Sequence, residues 1–211
     1  MVHPEVERLI IVRHAMPLLE PDVPSEQWRL GESGRAAARA LAGEMPPAAY
    51  LAASHEPKAV QTVQELAIGQ HVVTDAGFRE VERPHEWSGD YRARARAYVE
   101  GVCHPGWEPH ADVIARFDDA VSRHGSRATA LGQILVIGTH GMAPTVWLAE
   151  RVTLRPSPAE FWERLRFPDV IDVDLPAGRA EQRMGVGTGW WRLAMGTGKA
   201  RWRRRGATDG Q

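Results

Sequence analysis

The stretch "RLIIVRHAMP", residues 8–17, runs four apolar residues straight into Arg13 and His14 before Pro17 breaks the chain. A short, largely β-branched apolar run without alternation is the pattern of a strand buried on both faces, as in a parallel sheet. Such a strand has no structural need to end in a cation and an imidazole. The question is what those two side chains serve.

A second strand of the same kind, "QILVIGTHG", ends on Thr139, His140 and Gly141. Between these two lie a weaker strand, "AAYLAAS", closing on Ser54, and a short candidate, "HVVTDAGF". Helical patterns separate them. "ESGRAAARALAGEM" is stopped by Pro46 and Pro47, and "EPKAVQTVQELAIG" has Pro57 in its first turn and Gly69 as its stop. "ADVIARFDDAVSRHG" points to Gly125 as a C-terminal cap, and "MAPTVWLAERV" follows the second apolar strand. "FWERLRF" reads as a further helix and "DVIDVDL" as an alternating edge strand. Strands alternating with helices at this spacing predict an α/β protein, a three-layer α/β/α sandwich with a mostly parallel central sheet.

The 211 residues suffice for one sizeable domain, expected over residues 1–184. A lid or insert is expected at about 82–110, where Pro84, Pro105, Pro109, Trp87 and Trp107 interrupt any period. Residues 185–211 form a glycine-rich, basic tail, of the kind usually solvated and flexible. A net charge of −1 argues against wholesale binding to nucleic acid or an anionic membrane. The single cysteine, Cys103, leaves no internal disulfide and fits a reducing, cytoplasmic setting. No apolar run is long enough to cross a bilayer.

In open α/β sheets ligands bind at the carboxyl ends of the strands. There this sequence places Arg13, His14, Ser54 with Lys58 just beyond it, and Thr139 with His140. Two imidazoles and two cations at one edge suit a phosphoryl group. Arginine offers a planar fork, lysine a point charge, and the helix after His140 its free N–H groups. A histidine near its ordinary pKa is also a nucleophile that needs no separate base. The loop "GFREVERPHEW" supplies Glu80 and Glu82 to carry a proton. Other histidines, His124 among them, have no partner pattern and read as surface residues. No HExxH or CxxC spacing suggests a metal, and no cofactor is called for.

Five blocks in order, "LIIVRHA", "LGESGRAAARALA", "SHEPKAVQT", "FREVERPHEWSG" and "ILVIGTHGM", resemble those of the histidine phosphatase superfamily, the phosphoglycerate mutase-like branch 1 group. The resemblance spans roughly residues 9–150 and implies a role for each matched position. His14 would be the nucleophile that forms a phosphohistidine. Arg13, Lys58 and His140 would bind phosphoryl oxygens. Glu80 would carry the proton, with Glu82 a rival, and Thr139 and Ser54 would stand behind them.

The expected activity is that of a metal-independent phosphomonoesterase acting on a small phosphorylated substrate. Where the family pattern has arginine, this chain has Lys58, which keeps the charge but not the bidentate fork. That substitution raises an alternative: a phosphate- or phosphoester-binding protein with reduced or lost catalysis. A phosphoglycerate-type mutase ranks last, because "AMPLLE" stands where glycerate-reading positions are expected. Substrate identity and oligomeric state are not written in any motif.

Overall fold

A computed structural model describes residues 6–85 and 90–183 of the chain. Trp87 and the basic tail lie outside these residues.

The two apolar runs form the centre of the sheet. Strand β1 (Arg8–Arg13) pairs in parallel with β4 (Ile134–Thr139), Leu9 opposite Leu135 and Arg13 opposite Thr139. Beyond β4 come β2 (Ala49–Ala53) and β3 (Val72–Thr74), both parallel. On the other side of β1, β5 (Asp169–Asp174) and β6 (Arg179–Gln182) run antiparallel, giving the order β3-β2-β4-β1-β5-β6.

Both faces are covered, as a non-alternating apolar strand requires. Ile10 and Val12, with Leu51 and Val136, pack against Val63 and Leu66 of α2 (Pro57–Leu66) and against Leu41 and Met45, which follow α1 (Glu32–Arg39). Leu9 and Ile11, with Leu135 and Ile137, face Phe117, Trp147 and Phe161. These belong to α4 (His110–Ala130), α5 (Met142–Arg151) and α6 (Pro158–Arg164). Helix α3 (Tyr91–Val99) joins this layer through Ala95, Tyr98 and Val99. Three layers with a mostly parallel sheet are the architecture the sequence predicts. Among the described residues no helix is long and apolar enough to cross a membrane.

Four local expectations need correction. Gly125 does not cap α4; it lies buried inside the helix, where a Cβ would stand 1.7 Å from Val6 Cγ2. It is there to let the chain ahead of β1 cross the helix closely. The strand β5 is not an edge, because the hairpin to β6 covers its outer side. The region expected to be irregular contains α3, whose arginine-rich sequence hides its period: Arg96 pairs with Glu163 of α6, and the Arg92 guanidinium lies 5.8 Å from the Trp162 ring. His124, expected at the surface, is buried and lies 2.9 Å from the Asp75 carboxylate.

Candidate active site

The register of β1 and β4 builds the site. With Arg13 opposite Thr139, the next residue on each strand is a histidine, and parallel neighbours lie about 4.8 Å apart. The His14 and His140 rings accordingly sit edge to face with centroids 5.2 Å apart. The His14 amide donates to the Thr139 carbonyl at 2.9 Å, which carries the pairing one residue past the strands. The next amide, that of Ala15, donates to Thr62 Oγ1 at 2.9 Å, and Thr62 in turn donates to the Lys58 carbonyl. Helix α2 thus clamps the loop that carries His14.

The His14 Nδ1 lies 2.8 Å from the Ala15 carbonyl. A carbonyl only accepts, so Nδ1 bears the proton and the lone pair is on Nε2. Burial pushes the His14 pKa well below its ordinary value, and His140, Lys58 and Arg13 push the same way. The result is a neutral imidazole with a fixed tautomer and a free nucleophilic nitrogen.

Arg13 is held by the segment that leads into β5, the strand beside β1. Its Nη1 donates to the Leu165 carbonyl at 2.7 Å, and its guanidinium lies 3.5 Å from the centre of the Phe167 ring. The same ring flanks His14, centroids 5.3 Å apart. Burial lowers the Arg13 pKa to about 10, against the opposing pull of Glu80 and Asp169, so it stays charged at neutral pH. Its Nε is buried with no hydrogen-bond partner among the described residues. Gly141 makes room for it: a Cβ there would stand 3.3 Å from Arg13 Nη2 and 3.0 Å from Trp162 Nε1.

His140 faces a carboxylate to which the sequence pattern assigns no role. Its Nε2 lies 3.1 Å from Glu56 Oε1 and 2.9 Å from Ser54 Oγ, so it donates toward them. Its Nδ1 is buried and without a partner among the described residues. The other Glu56 oxygen accepts a hydrogen bond from Lys58 Nζ at 2.6 Å, and Lys58 also donates to the Ser25 carbonyl. Glu56 is 4% exposed and Lys58 6%, so this is a buried ion pair. Burial alone would raise the Glu56 pKa, but His140 and Lys58 outweigh it and hold the carboxyl far below the usual range. The available signal is a glutamate two residues before Lys58 in the second block, masked by Pro57 as an ordinary helix start.

Of the two glutamates in the acid loop, Glu80 is the one brought to the histidines. Its carboxylate caps α5, accepting from Gly141 at 3.1 Å, Met142 at 3.2 Å and Ala143 at 2.9 Å, and from Val81 at 3.0 Å. Burial works to raise its pKa, but His140, Arg83 and these amides keep it below the ordinary carboxylate value. The helix N-terminus expected to be open to an anion is therefore occupied by a carboxylate. Glu82 instead pairs with Arg79 and is exposed. Thr139 Oγ1 is committed to the Phe78 carbonyl at 2.7 Å and has no proton to offer a ligand. Ser54 stands behind His140 and also receives the Glu56 amide at 3.2 Å.

A groove of about 570 Å³ lies beside α2, lined among others by Glu20, Glu26, Arg29, His55 and Pro57. Neither catalytic-candidate histidine is in its lining; it adjoins the site through His55 and Pro57, the neighbours of Glu56.

No family model and no curated protein matches this chain in sequence. Solved structures do match in shape. A mycobacterial glucosyl-3-phosphoglycerate phosphatase bound to inorganic phosphate superimposes with a TM-score of 0.61 at 20% identity, covering 86% of this chain and 97% of that one. A phosphoglycerate mutase from Thermus thermophilus gives 0.55 at 22% identity, covering 84% and 98%. The protein TTHB049 of the same organism gives 0.56 at 20%, covering 82% and 96%. Agreement over almost the whole of each neighbour shows that the chain has the fold these phosphatase and mutase structures share.

Proposed function

We propose that the protein is a phosphomonoesterase that works through a phosphohistidine on His14 and needs no metal ion. One observation carries this reading: a buried, neutral imidazole with its Nε2 lone pair free lies beside a second imidazole and a guanidinium whose Nε has no partner among the described residues, at the end of a parallel sheet. His14 Nε2 attacks phosphorus in line with the departing oxygen. Charge on the phosphoryl oxygens is met by Arg13, by His140 and by the one ammonium proton of Lys58 not bound to Glu56 or Ser25. Glu80 carries a proton to the leaving oxygen and later takes one from the water that attacks the phosphohistidine. To do either it leaves the α5 amides, which the phosphoryl oxygens then occupy.

The neighbours include a phosphatase and a phosphoglycerate mutase, both of which handle small phosphate esters. The test is turnover of p-nitrophenyl phosphate in excess EDTA, with His14→Ala as control. Release of phosphate by the unaltered protein alone, with acid-labile phosphate trapped on His14, supports the assignment; equal rates in both proteins end it. Free phosphate as product, with no isomerised ester, separates a phosphatase from a mutase.

A second reading has its own observation. Lys58 is tied to Glu56 and Glu80 is tied to α5, so both groups that replace or assist the usual machinery are engaged elsewhere. A binding protein with little catalysis would hold phosphate at this site and leave p-nitrophenyl phosphate untouched.

A further inference from the structure

Glu56 places a buried negative charge between two of the groups expected to meet an anion, Lys58 and His140. Its carboxylate is buried, with one oxygen 2.6 Å from Lys58 Nζ and the other 3.1 Å from His140 Nε2, and the Glu80 amide donates to it at 2.8 Å. The groups facing it are therefore Lys58 from α2, His140 from the end of β4 and the backbone of the acid loop. Arg13 and Glu80 complete the charges around the histidines, with Arg83 acting on Glu80 and Asp169 on Arg13.

The charges come close to cancelling. Arg13 and Lys58 contribute two positive charges, and Glu56 and Glu80 two negative. His14 is neutral, and His140 with its unpaired Nδ1 can supply at most one further positive charge. A dianion brought into such a setting leaves a net negative charge in a buried space, which is costly at low dielectric.

We infer that Glu56 is a specificity-determining residue that makes the site select a singly charged, protonated phosphoryl group over the dianion. This rests on the phosphoryl-transfer reading given above. Glu56 also serves as a positioning residue, since it orients both Lys58 and the Nε2 edge of His140.

The selection agrees with the proton inventory. Glu80 is an ionised cap and has no proton of its own to give, whereas a monoanionic ester brings one. His14 Nε2 forms the N–P bond as the P–O bond to the alcohol breaks. The hydroxyl proton of the phosphoryl group passes through the Glu80 carboxylate to the departing oxygen, giving neutral alcohol and a phosphoimidazolium whose PO3 group is a dianion. Water then adds to phosphorus, the N–P bond breaks, and dihydrogen phosphate monoanion leaves with His14 neutral again. Charge is −1 throughout.

Two tetrahedral anions of fixed charge test this. Sulfate is a dianion and methanesulfonate a monoanion across the working pH range. Calorimetric binding to the full chain at neutral pH should show methanesulfonate bound at least as tightly as sulfate. In Glu56→Gln, sulfate should gain at least about tenfold relative to methanesulfonate. A second readout is the pH profile of kcat/KM on an alkyl phosphate. The unaltered protein should lose activity as the substrate gives up its second proton near about pH 6, and the fall should be shallower in Glu56→Gln.

The inference is overturned if the unaltered protein prefers sulfate by tenfold or more, or if the ratio is the same in the variant. Should Glu56→Gln not fold, the ratio in the unaltered protein still decides. Absence of both turnover and His14 labelling sinks the phosphatase reading instead, and leaves the anion ratio to judge the charge argument.

Discussion

Replacing Glu80 with glutamine asks whether a carboxylate holds the start of α5. In the native protein that group is ionised and accepts from the amides of Gly141, Met142, Ala143 and Val81 at 2.9–3.2 Å. A hydrogen bond to a charged acceptor contributes about 1.5–3 kcal/mol net, and an anion at a helix N-terminus about 0.3–1 kcal/mol or somewhat more when partly buried. Glutamine keeps one acceptor but loses the charge and turns an NH2 toward N–H groups. The expected loss is about 2–3 kcal/mol at neutral pH, or roughly 5–10 °C in Tm for a chain of this size.

The pH dependence gives the sharper check on Glu80. Its folded pKa lies below its unfolded value of about 4.3, so the unfolded chain binds more protons between the two. Its stabilisation is complete above about pH 4.3 and disappears as pH falls through the folded pKa. Urea unfolding of both proteins should therefore show a gap at neutral pH that closes in acid. Inorganic phosphate, competing for the same amides, should raise the Tm of Glu80→Gln more than that of the native chain. Equal stability at neutral pH, or a gap unchanged into acid, would show that the ionised carboxylate does not hold the helix.

Other substitutions probe the rest of the site. Gly141→Ala would put a methyl 3.0 Å from Trp162 Nε1 and 3.3 Å from Arg13 Nη2, so phosphate affinity should fall about tenfold in calorimetry while the fold survives. Gly125→Ala, with its Cβ 1.7 Å from Val6 Cγ2, should cost about 1–3 kcal/mol by urea unfolding without altering phosphate binding. Lys58→Met strands the buried Glu56 carboxylate and should destabilise by about 3–5 kcal/mol, whereas Lys58→Arg should change turnover less than tenfold because Glu56 neutralises either cation. His14 should remain neutral through about pH 6.5 in a histidine-resolved NMR titration; a midpoint at the ordinary value would contradict its burial.

The parts legible in the sequence are those built from local periodicity. Residues 9–12 and the run ending at Thr139 declare buried parallel strands, and their shared ending in histidine points to chemistry that a strand does not need. What escapes has long-range causes. Glu56 looks like the residue before a helix because its long-range partner, His140, meets it only through the β2–β4 pairing. Phe167 gives no sign that it lies against Arg13, since the loop before β5 reaches that edge only because β5 runs antiparallel to β1. Gly125 passes for a cap because a glycine chosen for a tertiary close approach has the same letter as one chosen for a turn. The Glu80 cap inverts the usual reading of a helix N-terminus as a vacancy for ligand.

The antiparallel return of β5 also fixes when the site can exist. His14 is made well before Leu165 and Phe167, the residues whose carbonyl and ring seat Arg13. A nascent chain stalled on the ribosome with α5 already folded would own both imidazoles and still lack the brace for its guanidinium. The seating of Arg13 is thus a late acquisition, gained only when β5 pairs with the first strand.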